Sequence, residues 1–205
     1  MGMRELLFLF FCYFLGSANT ALFVTRAVKG IDIRHFGDGN AGSTTVFRHV
    51  SKPLGIFVFF ADFLKGMIPF YVGSILALPA YVLAVGGSLV VVGHDFPLFF
   101  GFRGGTGIAS VFGGVFGIAP MIAIQLFAFI IIIFSACYMF RAHFFGFSYL
   151  EEGEAAGFLF LIYLVLSNGD SMLKMYFFLS LLVIVFRQKE KVVEIFSSSP
   201  EREKR

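Results

Sequence analysis

The chain has no tryptophan, and only 14% of its 205 residues are Asp, Glu, Lys or Arg. Soluble domains carry about a quarter charged residues, so this shortage excludes an ordinary soluble domain. A hydrophobic share of 58% and a mean hydropathy of +0.87 point instead to an integral membrane protein folded as one bundle. Without tryptophan, the seven tyrosines must form any aromatic belt at the membrane interface. Cysteine is scarce as well. Cys12 and Cys137 each lie in an apolar run and read as buried free thiols, giving no support to a disulfide or a metal site. The net charge of +3 is too small to argue for a nucleic-acid partner. The sequence offers no Walker loop, no nucleophile elbow with Ser, His and Asp in order, and no heme or zinc spacing. No covalent nucleophile, cofactor or metal is therefore expected.

The uncharged runs are long. A helix needs roughly 20 apolar residues to cross the hydrocarbon core. Leu6 to Thr25 reads as a first span. It is expected to stay uncleaved, because Glu5 spoils the positive start of a signal peptide and no suitable residue precedes a lipidated cysteine. Pro53–Tyr71 and Pro79–Val92 give the second and third spans, and Pro120 divides the run Gly104–Phe140 into a fourth and a fifth. Ala155–Ser167 and Met172–Phe186 follow, with Asn168-Gly169-Asp170 as the turn between them. The fold class is an all-α membrane bundle of about seven transmembrane helices, with counts of about six or eight left open by the short spans. Residues 1–196 form a single domain and 197–205 a disordered tail.

Charge sets the expected topology. With that count, Arg26, Lys29, Arg34, Arg48, Lys52, Arg103, Arg141 and Arg187 share one side, and the other holds little beyond Arg4 and Lys174. The positive-inside rule then places the N-terminus outside and the C-terminus in the cytoplasm. Two glycine-rich loops fall on the cytoplasmic face.

Loop one is Asp32-Ile33-Arg34-His35-Phe36-Gly37-Asp38-Gly39-Asn40-Ala41-Gly42-Ser43-Thr44-Thr45. Its glycines, Gly39 and Gly42 among them, let a ligand approach the backbone closely. Arg34 and Arg48 flank the turn and can pair with a phosphate in a bidentate way. Loop two starts at Gly93-His94-Asp95-Phe96-Pro97 and runs to Arg103-Gly104-Gly105-Thr106-Gly107. The N–H groups of Gly104–Gly107 open a helix, whose positive end suits an anion. An ordinary flexible loop is the alternative reading of the first, and a positive-inside anchor with a glycine turn that of the second. Their shared face strengthens the reading as a phosphate site.

Asp62 and Lys65 stand three apart inside an apolar span, where charge is expensive. On a helix they share a face and can satisfy each other, either as a structural pair or as part of a site. Glu151-Glu152-Gly153-Glu154 reads as a solvated turn, while His35, His49 and His143 carry no assigned role.

The chain resembles the bacterial membrane acyl-phosphate:glycerol-3-phosphate acyltransferases, the PlsY type. Gly16-Ser17, Arg26, Lys29 to Arg34, Gly37 to Gly42 and Arg48 carry the first part of the likeness. Asp62-Phe63-Leu64-Lys65-Gly66 matches the family's Asp-x-x-Lys-Gly, and Gly93-His94-Asp95-Phe96-Pro97 through Ala109 its second long motif. The resemblance implies a seven-helix enzyme of the bacterial inner membrane with its site facing the cytoplasm. It implies transfer of a fatty acyl group from acyl phosphate to the 1-hydroxyl of glycerol 3-phosphate, giving lysophosphatidic acid for phospholipid synthesis. Both substrates carry a phosphate of roughly −1.5 to −2 charge. Phosphate binding is expected from Arg34, Arg48 and Arg103, with the backbone of Gly39, Gly42 and Ser43 and of Gly104, Gly105, Thr106 and Gly107. Ser17, Asn40 and His94 are expected to orient the reacting groups.

The chain also departs from the family's pattern. Asn19 stands for a proline, Thr45 for the last Asn of Gly-Ala-Thr-Asn, and Thr106 for the lysine of Gly-Gly-Lys-Gly. Phe144 stands for a serine, and Gln188 and Lys191 for the His and Asn near the C-terminus. A lost phosphate-facing lysine removes a contact of about 1.5–3 kcal/mol. Two other readings are therefore carried: a non-catalytic or substrate-altered paralogue that binds anionic lipid or acyl phosphate, and a small anion transporter using Asp62 and Lys65.

Overall fold

The computed structural model describes residues 1–140 and 149–189. Every regular element among them is helical. In chain order they are α1 (Met3–Ser17), α2 (Thr20–Lys29), α3 (Ser43–His49), α4 (Lys52–Ile75), α5 (Ala80–Asp95), α6 (Ile108–Ile118), α7 (Pro120–Phe140), α8 (Tyr149–Ser167) and α9 (Ser171–Arg187). Single turns of 3-10 helix at Ile33–His35 and Leu98–Phe100 sit inside the two loops. Arg141, His143 and Phe144, and Lys191 with the 197–205 tail, lie outside the described residues.

Two expected boundaries move. The first span does not run unbroken, because Asn19 interrupts it. Its side chain accepts the Leu22 N–H at 3.0 Å and caps the start of α2, while its Nδ2 donates to the Ala41 carbonyl at 3.2 Å. The second span continues past Tyr71, since α4 passes through the buried Pro69 and ends at Ile75. Proline is tolerated inside apolar helices when neighbours re-satisfy the freed carbonyl. Ser74 and the turn at Ala77, whose φ is +51, then close the helix ahead of Pro79. Pro120 divides α6 from α7 as expected.

Among the described residues, three helical stretches are long and apolar enough to cross a bilayer: Met3–Lys29, Lys52–Ile75 and Ala80–Phe100. Ile108–Ile118, Pro120–Ile133 and Gly157–Ser167 are shorter apolar helices. Phenylalanines, leucines and isoleucines such as Phe57, Phe60, Ile131 and Leu159 face outward, as a lipid-facing surface requires.

α4 packs on α6, and α5 packs on α1 and α9. Both approaches are close because glycine stands at the crossings. A Cβ on Gly66 would overlap the Ser110 carbonyl, and one on Gly16 the Val90 carbonyl. In a bilayer, helices gain little from apolar burial, so small residues that let backbones approach supply the packing energy. The main core joins Phe70, Leu83, Val91, Val111, Val115, Leu161, Leu173 and Tyr176. A smaller core of Leu22, Ile33, Ala41, Val46 and Val58 seats loop one on α2 and α4.

Candidate active site

Loop one folds tightly because its own side chains cap it. Asp32 accepts the Arg34 N–H at 3.1 Å and starts the 3-10 turn. Asp38 accepts the Asn40 N–H at 3.1 Å. Gly37 and Gly39 take φ of +59 and +76, which side-chain-bearing residues rarely adopt. Gly42 then opens α3, a helix with no side-chain cap. Loop two returns on itself through two backbone bonds, Gly104 N–H to the Asp95 carbonyl at 3.0 Å and Gly105 N–H to the His94 carbonyl at 3.1 Å. It ends at Gly107, the uncapped start of α6, with φ of +64.

The two loops meet. Ala41 N–H donates to the Gly104 carbonyl at 3.4 Å, and Asn40 Nδ2 to Thr106 Oγ1 at 3.5 Å across 66 residues of sequence. Gly105 is pressed so closely between His94 and Ala41 that a Cβ there would strike His94 Nε2 and lie 3.0 Å from the Ala41 carbonyl.

Beneath this seam lies a buried polar cluster. Lys65 Nζ sits 2.7 Å from Asp62 Oδ1 and 2.8 Å from His94 Nδ1. Thr20 Oγ1, from the first turn of α2, donates to Asp62 Oδ1 at 3.1 Å. The Asp62 and Lys65 side chains are 2% and 6% exposed, so the two charges must satisfy each other inside the bundle. The i, i+3 spacing on α4 brings them together, as the sequence suggested. That His94 closes the cluster from α5 was not legible, since 29 residues separate it from Lys65.

Arg34 is engaged within the protein itself. It forms a fork on Asp32, with Nε to Oδ1 at 3.0 Å and Nη2 to Oδ2 at 2.7 Å. Its Nη1 donates to the Phe100 carbonyl at 2.8 Å and the Arg103 carbonyl at 3.4 Å. Arg26 adds a further bond to Asp32 at 2.6 Å and lies over the Phe100 ring. The group is a clamp that ties loop one to loop two. The Arg34 hydrogen bond, more than that of Arg26, holds the Asp32 carboxyl well below the usual carboxylate range, while the same bond pushes Arg34 up.

The other expected residues divide between rim and interior. Arg48 lies in the last turn of α3 and Arg103 precedes the loop-two glycines; both are exposed. Gly39, Gly104 and Gly105 turn their N–H groups inward, to Phe36, Asp95 and His94, so these amides serve the fold. Ser43 begins α3, and Ser17 ends α1 fully buried, its Oγ without a hydrogen-bond partner. The buried Asp95 carboxylate also lacks one, and its Oδ1 closely abuts Gly107. Arg187, from α9, reaches the Gly104 carbonyl at 3.5 Å. Among the described residues no three His, Cys, Asp or Glu side chains gather to hold a metal ion.

Comparison with known proteins decides the family. The family model for glycerol-3-phosphate acyltransferase matches residues 6–198. The chain belongs to the glycerol-3-phosphate acyltransferase family. It is 32% identical to the glycerol-3-phosphate acyltransferase of Fusobacterium nucleatum over 198 residues, 93% of this chain and 96% of that one. The corresponding protein of Aquifex aeolicus is 41% identical over 130 residues, 63% of this chain and 66% of the relative. The fold is similar to the crystal structure of PlsY (YgiH), an integral membrane glycerol 3-phosphate acyltransferase, in its glycerol 3-phosphate form. That likeness has a TM-score of 0.75 and 28% identity, and covers 95% of this chain and 92% of the other. A second PlsY structure, the lysophosphatidic acid form, gives a TM-score of 0.73. With its apolar helices, this acyltransferase-family chain is an integral membrane protein.

Of the residues that depart from the family pattern, Asn19 and Thr106 make structural contacts here. Asn19 caps α2 and tethers Ala41, which a proline's missing N–H and side-chain amide would not allow. Thr45 is buried in α3. Thr106 accepts from Asn40. Gln188 is the residue that follows α9 and is half-buried.

Proposed function

We propose that this protein transfers a fatty acyl group from acyl phosphate to the 1-hydroxyl of glycerol 3-phosphate, releasing inorganic phosphate and lysophosphatidic acid. The observation that carries the reading is the seam. Two glycine motifs, remote in sequence, meet at Ala41–Gly104 and Asn40–Thr106 directly above a buried His94. Arg48, in the last turn of α3, and Arg103, next to Gly104, are exposed and supply the cations that two phosphates need. The uncapped start of α6 at Gly107 adds the positive end of a helix. Arg34 holds the loops together and adds a third cation to the same face.

An acyl phosphate is already activated, so the reaction needs no covalent enzyme intermediate. Holding the hydroxyl against the carbonyl carbon supplies proximity, and donors aimed at the developing oxyanion supply electrostatic stabilisation. Ser17 and Asn40 line the end of α1 and the loop-one turn and orient the reacting groups. The acyl chain lies among the spans. The protein is a multi-pass protein of the bacterial inner membrane with about seven spans, its N-terminus outside and its site in the cytoplasm, as the positive-inside rule favours.

The test is release of inorganic phosphate by purified protein in lipid, given palmitoyl phosphate and glycerol 3-phosphate, with lysophosphatidic acid followed by mass spectrometry. Acceptor-dependent product is expected. Folded protein that binds both substrates without turnover would refute the reading. Thr106, bonded to Asn40 where the family pattern has lysine, motivates the rival of a non-catalytic binder. Activity that emerges only in Thr106→Lys would establish that rival.

A further inference from the structure

The contact between Lys65 and His94 fixes more than a fold. A lysine ammonium has three donors and no acceptor. At 2.8 Å from His94 Nδ1 it can only donate, so Nδ1 carries the lone pair and the ring proton sits on Nε2. Asp62, 2.7 Å from the same ammonium, is its counter-charge, and Thr20 holds Asp62 in turn. Asp62 Oδ1 is 3.7 Å from His94 Nδ1, too far to compete for the ring as an acceptor. Nε2 is the ring atom that faces the seam, against Gly105 and beside Ala41. The Ala41 carbonyl already accepts from Asn19.

We propose that Lys65 is a positioning residue for acyl transfer: it locks His94 as the Nε2–H tautomer, and that N–H donates to the oxyanion formed at the acyl carbonyl. This rests on the acyl-transfer reading above. In the step, the glycerol hydroxyl oxygen bonds to the carbonyl carbon and the carbonyl electron pair moves to oxygen, where the His94 N–H meets it. Collapse breaks the bond to the phosphate oxygen, which leaves with its electron pair, and the hydroxyl proton ends on inorganic phosphate. His94 keeps its own proton throughout. It is therefore an electrophilic donor and not a general base. Asp62 serves as the counter-charge that makes a buried lysine tolerable at this depth.

The test uses the full chain in lipid nanodiscs with 15N-labelled histidine, the His94 signal being the one that disappears in His94→Gln. A protonated Nε2 and an unprotonated Nδ1 are expected. Lys65→Met alone leaves Asp62 unpaired, so the working variant is Asp62→Asn with Lys65→Met, which removes both charges. In it, the His94 signal becomes a mixture of tautomers. Its kcat falls about 10-fold while KM for glycerol 3-phosphate stays within about 2-fold, the pattern of a lost transition-state contact. His94→Leu loses about 100-fold in kcat, as for removal of one oxyanion donor. His94→Gln, which keeps an N–H at that end, loses less. An Nδ1–H tautomer in the wild type, or a double variant with unchanged tautomer and kcat, would overturn the proposal. A wild type with the Nε2–H tautomer and no acyl transfer with any acyl phosphate would refute the reaction and leave the Lys65–His94 lock standing.

Discussion

Two carboxylates in this protein each hold a cation, and the contrast between them separates a brace from a working core. Asp32 sits at the rim, forked by Arg34 and reached by Arg26, and it ties the two loops together where water has access. Asp62 sits inside the bundle, where Lys65, Thr20 and His94 share one small polar cluster among apolar helices. The bonds are similar in length. Their energetics differ, because a charge left alone at the rim is rescued by water and a charge left alone in the bundle is not.

The largest effect should therefore come from the buried pair. Lys65→Met strands the Asp62 carboxylate and is expected to destabilise the fold by about 3–5 kcal/mol. Asp62→Asn added to it should restore most of that loss. Denaturant unfolding in detergent, followed by tyrosine fluorescence, checks both. If the single and double variants unfold alike, the pair is not a closed unit and the contrast with the rim fails.

The seam should respond next. Gly105→Ala forces a methyl into His94 Nε2 and the Ala41 carbonyl, so acyl transfer is expected to fall about 100-fold, the cost of displacing one oxyanion donor. Gly42→Ala belongs to the same kind of motif but has room. Its φ is −126, and the nearest atom to the new Cβ is Asn40 Nδ2 at 3.6 Å, an ordinary contact. That variant should change stability by less than about 0.5 kcal/mol and leave turnover close to wild type. Steady-state phosphate release on the pair separates a glycine needed for close approach from one that merely starts a helix.

The sequence made some of this legible and hid the rest for a physical reason. Apolar run lengths revealed the helices, Pro120 marked a real boundary, and the spacing of Asp62 and Lys65 pointed to their pairing. Each of these depends on neighbours a few residues apart. Asn19 was visible only as a substitution, because its role as a cap depends on Leu22 and its role as a tether on Ala41. Arg34 was visible as a flanking arginine in a glycine loop, and its place in the clamp was not. Its carboxylate partner was two residues away, but the Phe100 and Arg103 carbonyls that complete the clamp come from the other loop. The inward amides of Gly104 and Gly105 have the same explanation. A glycine run advertises free N–H groups, and only the fold shows that the end of α5 has taken them.

The smallest expected effect is also the one that tests the comparison most directly. Asp32→Asn removes the rim charge and keeps the shape. At the surface such a group is worth at most about 1 kcal/mol after screening by water and salt. Its sign with pH follows from the direction of the shift. Asp32 is held below the usual carboxylate range in the folded protein, chiefly by Arg34, so the unfolded chain takes up its proton first as pH falls. The clamp's contribution is thus complete above about pH 4, the ordinary carboxylate value, and fades as the pH drops below that toward the folded value. Wild type and Asp32→Asn should differ in stability at neutral pH and converge in acid, with the difference shrinking in high salt. A gap that instead held constant down to pH 3 would mean that Asp32 works through its hydrogen-bond geometry and not through its charge. The rim and the core would then differ in burial alone.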